Sequence, residues 1–98
     1  MGYKNTVSIL GINYNINYVP YILRDEYRAG QIDFENQEIK ILDTLQCDLR
    51  NVTLLHEIIH AAMTHLGLHE ESQNENLVQG LAVAMHQVIK YHRTIFSS

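Results

Sequence analysis

The sequence predicts a small α+β fold, in which short strands of the first half pack against two helices of the second half. Two periodicities along its 98 residues indicate this. Up to about residue 41, apolar residues alternate with polar ones, which is the period of a half-buried strand. From residue 48 onwards they recur every three or four positions, which is the period of an amphipathic helix. No repeat and no linker interrupts the chain, so we expect one domain over residues 1–98.

Two hairpins are predicted in the first half. The first covers residues 6–18, with Gly11 in its turn. The second runs from Ile32 to Ile41. Connections this short allow only antiparallel pairing, so we expect a small antiparallel β-sheet made of two hairpins. Between the hairpins, residues 21–28 are expected to form two turns of helix that end at Gly30 as the C-cap.

Two helices are predicted in the second half. The first begins at an N-cap, Asp48, and runs to Leu66, with Gly67 as its C-cap. The second runs from about residue 72 to residue 94. The stripe of this second helix that faces the core is assigned to Leu77, Leu81 and Val88, with Val78, Ala84 and Met85 nearby. Gly80 lies in its middle at a cost of about 1 kcal/mol relative to alanine, so we expect it to allow close helix–helix approach.

The first of these helices carries the pattern H-E-x-x-H, at His56, Glu57 and His60. Positions i and i+4 lie on one face of a helix, so both imidazoles can bind one metal ion. Glu57 is displaced by about 100° around the helix and lies beside the ion. A carboxylate there can act as the general base toward a metal-activated water. The pattern predicts a catalytic zinc (Zn2+) site with an open coordination position.

Catalytic zinc usually takes a third protein ligand. The metzincin extension of the motif would need a histidine at position 66, where the chain has leucine, so it is excluded. Glu75 on the second helix is the preferred candidate, because an acidic side chain among apolar residues needs a partner. Two alternatives stay open. Glu75 could instead complete a capping box with Ser72, and Glu71, one turn earlier, could be the ligand.

The other four histidines are expected to have no role in the site. His65 and His69 are predicted to face solvent or to cap the end of the first helix, where a cation is favoured. His92 is predicted to lie on the surface. His86 is predicted to be an ordinary, partly buried histidine, because it lies about 16 Å along the helix from Glu75.

Composition excludes several classes of function. The net charge is −4 and the basic residues are scattered, so we expect no nucleic-acid partner. No run of about 18 apolar residues suggests a membrane span, and no secretory signal is visible. Cys47 is the only cysteine, which excludes an intramolecular disulfide and fits a reducing compartment. We therefore expect a cytoplasmic protein.

The spacing of the motif residues resembles a known family. His56-Glu57-x-x-His60 followed by Glu75-x-x-Val78-x-x-Leu81-Ala82 is similar to the small gluzincin-like metallopeptidases of phages and prophages. These are distant relatives of the ImmA/IrrE-type peptidases. The strand pair before the zinc helix also looks like that group, so the resemblance covers roughly residues 27–89. It implies a minimal zincin-like fold, with two histidines and Glu75 as zinc ligands and Glu57 as the catalytic base.

The predicted function is that of a zinc-dependent peptidase (a metalloendopeptidase-like hydrolase). Its peptide or protein substrate could pair with an exposed strand edge beside the zinc helix. A chain of this length has little material for specificity pockets, so the substrate is one specific protein or activity depends on a partner. Two alternatives stay open: a zinc hydrolase of a non-peptide amide, and a metal-stabilised module that binds a phage or host protein without catalysis.

Overall fold

The computed structural model describes residues 5–96, and it confirms the α+β class. The strands are β1 (Thr6–Ile9), β2 (Ile12–Val19), β3 (Gly30–Asp33) and β4 (Glu38–Leu42). The helices are α1 (Cys47–His65), α2 (His69–Gln73) and α3 (Glu75–Tyr91), followed by a 3₁₀ turn (Arg93–Phe96). None of the described helices is both long enough and apolar enough to cross a lipid bilayer.

The four strands form a mixed sheet in the order β1-β2-β4-β3. Both predicted hairpins are present as antiparallel pairs. The expectation of a wholly antiparallel sheet is wrong at the centre, where β2 and β4 run parallel with Ile16 opposite Ile39. Residues 20–37 connect these two strands and are long enough for the crossover that parallel pairing needs. Because of this order, β3 lies at one edge of the sheet.

The predicted helix over residues 21–28 is not formed, and the segment consists of bends. Its large apolar side chains Tyr21, Leu23 and Tyr27 are exposed, so a short helix there would have no packed face to stabilise it. Gly30 is not a C-cap either, since it is the first residue of β3. A Cβ atom at Gly30 would lie 2.7 Å from Cγ2 of Thr53, so glycine lets β3 start directly against α1.

α1 lies between two hydrophobic clusters. The larger is formed with the sheet and consists of Ile9, Tyr14, Ile16, Ile39, Ile41 and Ala61. The smaller is formed with α3 and consists of Ile59, Val78 and Ala82. The position of α1 is therefore fixed from both sides. His65 lies on the sheet side of α1 and does not face solvent as predicted, because its Nε2 lies 2.7 Å from the hydroxyl of buried Tyr14.

The bounds of α1 differ slightly from the prediction. Its N-cap is Gln46, and Asp48 lies in the first turn. At the other end Leu66 is the C-cap and is exposed. Gly67 follows with φ of +79°, a left-handed conformation that glycine adopts without strain, so the predicted stop is confirmed.

The predicted second helix is two helices, separated at Asn74. The side-chain oxygen of Asn74 accepts a hydrogen bond from the backbone N–H of Leu77 at 3.1 Å and caps α3. The predicted core stripe is confirmed only at Val78, because Val78 and Ala82 are the buried residues of α3 and the larger apolar ones are exposed. Gly80 approaches no helix of the described chain, since no atom lies within 4 Å of the position of its missing Cβ.

Candidate metal centre

α1 and α3 bring the three predicted ligands together. His56 and His60 lie one turn apart on α1, with ring centroids 4.8 Å apart. Glu75 is the first residue of α3. One of its carboxylate oxygens lies 3.3 Å from Nε2 of His56, and the other lies 2.9 Å from Nε2 of His60. α2 turns the chain back between the two helices, so the start of α3 meets the second half of α1.

The contacts contradict the capping box, and the geometry favours Glu75 over Glu71 as the third ligand. Ser72 lies inside α2 and does not cap α3, which is the role of Asn74. The capping box of Ser72 and Glu75 is therefore wrong. Glu71 is exposed. Among the described residues, the group whose geometry could hold a metal ion consists of His56, His60 and Glu75, without Glu71.

The hydrogen bond of His56 determines which of its nitrogens faces Glu75 with a lone pair. Nδ1 of His56 lies 2.8 Å from Oε1 of Gln79. An amide oxygen can only accept a hydrogen bond, so Nδ1 carries the proton and Nε2 of the neutral ring carries the lone pair. That lone pair points toward a carboxylate oxygen of Glu75. Two acceptors in contact need a proton or a cation between them.

His60 is held in a similar way by Ser72. Nδ1 of His60 lies 3.2 Å from the buried hydroxyl of Ser72, which donates to the backbone carbonyl of His60 at 3.5 Å. The hydroxyl oxygen is then available to accept from Nδ1. Thr64 lies 3.2 Å from the same hydroxyl. Histidine ligands commonly donate their second N–H to such an acceptor, which fixes the orientation of the ring.

The donor set fits zinc. Zinc–ligand bonds of about 2.0–2.2 Å in a tetrahedral arrangement place the ligand atoms about 3.4 Å apart. The two carboxylate oxygens of Glu75 lie 3.3 Å and 2.9 Å from the histidine nitrogens, each oxygen against one ring, so they are somewhat closer than that spacing. One ligand atom from each of the three residues lies within 4.8 Å of the other two. Two imidazoles and one carboxylate are a known ligand set of catalytic zinc, with one position left for water.

Glu57 is a buried carboxyl beside this group. It is 7% exposed, and a Cβ atom at Gly30 would lie 3.0 Å from its Oε2. Burial raises the pKa of Glu57 to about 6, and the charge of Glu75 adds to this, while the charges of His56 and Arg28 oppose it. A carboxyl with a pKa near neutrality can both accept and return a proton at physiological pH.

An open cleft of about 690 Å³ connects these residues with β3. Its walls include Gly30, Gln31, Ile32 and Phe34 on the strand side and the motif residues on the helix side. In the described sheet β3 pairs only with β4, so its outer backbone groups face away from the sheet. The cleft therefore combines a place for a cation, a buried base and a free strand edge.

Sequence reasoning missed two residues of this centre, Gln79 and Ser72. Gln79 follows Glu75 by one helical turn and so shares its face, which is the signal that could have found it. Ser72 offered no comparable signal, because its contact with His60 depends on how α2 is turned against α1. Of the remaining histidines, His69 and His92 are exposed and His86 is half-buried, as predicted.

No model of a protein family, no curated protein and no solved structure matches this chain. The resemblance to phage-type metallopeptidases therefore stays a prediction. The residues that form the centre are therefore the basis for a proposed function.

Proposed function

We propose that this protein is a zinc-dependent peptidase, in which His56, His60 and Glu75 hold zinc and Glu57 is the general base. The observation that carries the proposal is the convergence of two imidazoles and one carboxylate beside a second, buried carboxyl in an open cleft. Nitrogen ligands favour zinc over magnesium or calcium, which prefer oxygen ligands only.

Bound zinc would supply Lewis acidity, which lowers the pKa of a coordinated water to about 7 and polarises the carbonyl group under attack. Glu57 would accept the proton that the attacking water loses and return it to the amine that leaves. Burial raises the pKa of Glu57 to about 6 in the metal-free protein, and a bound cation nearby would lower it, so Glu57 would be ionised at neutral pH and ready to accept a proton. Gln79 and Ser72 would keep the two imidazoles aimed at the ion.

The position of β3 supports a peptide as the substrate. An extended peptide can add to a free strand edge through backbone hydrogen bonds. A peptide paired with β3 would pass Glu57, because Gly30 at the start of β3 lies against that carboxyl. Side chains of the peptide would meet Phe34 and Leu49, which line the same cleft. A small non-peptide amide would not need this edge.

The replacement Glu57→Gln tests the proposal. The variant should bind one zinc ion per chain like the wild type, because Glu57 is not among the ligands. Cleavage of a proteome-derived peptide mixture, followed by mass spectrometry, should fall by a factor of about 10² to 10⁴. Glu71→Gln is the matched control, since Glu71 is an exposed carboxylate outside the cleft, and it should cleave like the wild type.

Two results would refute the peptidase proposal. One is full activity of Glu57→Gln. The other is a wild-type protein that binds zinc yet cleaves no peptide of the mixture, which would favour a metal-stabilised binding module instead.

A further inference from the structure

A face of α3 beside its contact with α1 is apolar and exposed. α3 packs on α1 through Val78 and Ala82, both fully buried. About 120° around the helix from these two lie five residues that we call the outer stripe. Its members are Leu77, Leu81, Ala84, Val88 and Tyr91. The two leucines and Val88 are 38%, 39% and 36% exposed, and Tyr91 is 66% exposed. Single exposed apolar residues are ordinary, but a continuous stripe of them indicates an interaction surface.

The spacing of the outer stripe favours another helix as its partner. Successive members are separated by four, three, four and three residues. This is the a/d pattern of a coiled coil, in which side chains of one helix fit between side chains of a second. α3 has 17 residues and is therefore about 25 Å long, which gives the stripe two heptads. A sheet edge or an irregular loop would not match this period.

Two features leave room for a second helix against the outer stripe. The second half of α3 and the 3₁₀ turn enclose an apolar groove lined by Ala84, Met85, Val88, Ile89, Arg93 and Phe96. Beside the first half lies Gly80, where no atom of the described chain comes within 4 Å of the missing Cβ. A glycine there lets a second backbone come close. The helix approach that the sequence predicts for Gly80 would then be made by another molecule.

We propose that the outer stripe is the interface of a homodimer, in which α3 of two copies packs antiparallel about a two-fold axis at Ala84. Charge decides the orientation. The exposed carboxylates of Glu70 and Glu71 lie on α2, just before α3 begins, and Arg93 directly follows its end. The antiparallel arrangement sets the acidic end of one copy beside the basic end of the other, and the helix dipoles oppose each other. A parallel arrangement would bring like charges together.

The antiparallel arrangement also fills the groove. With the axis at Ala84, Leu77 of one copy lies level with Tyr91 of the other, and Leu81 lies close to the level of Val88. Both leucines would then enter the groove of the second copy, and the contact repeats on the other side of the axis, as two-fold symmetry requires. The metal centre lies on the face of α3 opposite to the outer stripe and stays open. The dimer does not depend on the proposed peptidase activity.

Sedimentation velocity over a range of protein concentrations tests the dimer. The wild type should sediment as a dimer, and Leu81→Glu should weaken the dimer by at least about a hundredfold, because each copy places a charge in the interface. Leu66→Glu is the matched control, since Leu66 is 62% exposed at the far end of α1. It should leave the dimer unchanged. Circular dichroism would establish that both variants are folded, and zinc binding should be the same in both.

Cysteine cross-linking in a Cys47→Ser background tests the orientation. Ala84→Cys should form a disulfide dimer on oxidation, because this residue meets its own copy at the axis. Leu77→Cys and Tyr91→Cys should cross-link when mixed but not when each is alone. Val83→Cys, an exposed residue off the stripe, is the control and should stay monomeric under denaturing conditions.

Three results would overturn the proposal. A wild type that is monomeric at every concentration excludes the dimer. Equal effects of Leu81→Glu and Leu66→Glu exclude this face as its interface. Self-cross-linking of Leu77→Cys excludes the antiparallel orientation. None of these results bears on zinc or on peptide cleavage, so they leave the proposed function as it is.

Discussion

The two ends of the interface between α1 and α3 use similar residues in different ways. At one end Glu75 of α3 faces His56 and His60 of α1. At the other end Asp48 of α1 lies 3.5 Å from Nε2 of His86 on α3. Both ends therefore place a carboxylate from the first turn of one helix against histidine of the other. Within residues 5–96, only the Asp48 end also holds a lysine, Lys90, whose Nζ lies 2.9 Å from the carboxylate.

Lys90 makes the two ends electrostatically different. Its hydrogen bond lowers the pKa of Asp48, and the same bond raises the pKa of Lys90. The charge of Asp48 is thus balanced by a cation of the chain itself. Among the ion pairs of the described residues, Glu75 contacts histidines alone. A proton on either imidazole or a metal ion can balance its charge, and the ring nitrogens suit the proposed zinc ion.

The largest expected effect is on zinc affinity, and it is seen by replacing one histidine at each end. His60→Ala removes a proposed ligand and should weaken zinc binding by at least about a hundredfold, since even an outer hydrogen-bond partner of a ligand contributes 10- to 100-fold. His86→Ala should leave zinc affinity within about twofold of the wild type, because His86 lies about three turns along α3 from Glu75 and contacts Asp48 instead. Competition with a chromophoric chelator measures both. Equal losses of zinc affinity in the two variants would mean that His86 matters as much as His60, and that zinc does not bind specifically at the Glu75 end.

The second effect concerns pH, because the two ends contain carboxyls whose pKa values move in opposite directions. The pKa of Glu57 is raised from 4.5 to about 6, so the folded state binds its proton more tightly than the unfolded chain does. As pH rises from 4.5 through 6, the metal-free protein should therefore lose about 2 kcal/mol of its free energy of unfolding. The pKa of Asp48 is lowered, so its contribution is present above its usual pKa and is lost in acid.

Urea unfolding in the presence of a chelator, between pH 4.5 and 7.5, measures this effect. The comparison is between the wild type and Glu57→Gln, which cannot titrate at this position. The variant should lack the decline of about 2 kcal/mol and should be the more stable protein at neutral pH. Parallel curves for the two proteins would show that the burial of Glu57 does not control the decline.

The fold follows from the sequence as far as local pattern determines it. Alternation identified all four strands, and the short turns identified both hairpins, because each of these depends on neighbouring residues. The parallel pairing of β2 with β4 is a contact across 18 intervening residues, and alternation says which face of a strand is buried but not which strand lies next to it. The expected helix over residues 21–28 failed because propensity alone does not stabilise two turns without a packed face.

In the candidate site, too, local sequence pattern predicts some residues and not others. The convergence of His56 and His60 follows from helical geometry, and the face of α3 that carries Glu75 follows from its neighbours, although the Glu75 side chain itself is 67% exposed rather than buried. Gln79 and Ser72 depend on how the helices are rotated against each other, which no local pattern gives. The core stripe of α3 was misplaced for a physical reason. α3 is apolar on two faces, and the face with the larger residues, the outer stripe, is not the one that contacts α1.

The smallest expected effect tests whether Gln79 orients the His56 ring or only packs between α1 and α3. Gln79→Ala removes the acceptor for Nδ1 of His56 and should weaken zinc binding by about tenfold, the lower end of the range for such partners. Gln79→Glu keeps an acceptor on a side chain of the same length, so its zinc affinity should equal or exceed that of the wild type. Gln87→Ala, an exposed glutamine elsewhere on α3, should have no effect. Loss of affinity in both Gln79 variants would mean that this residue packs the helix interface rather than orienting the His56 ring.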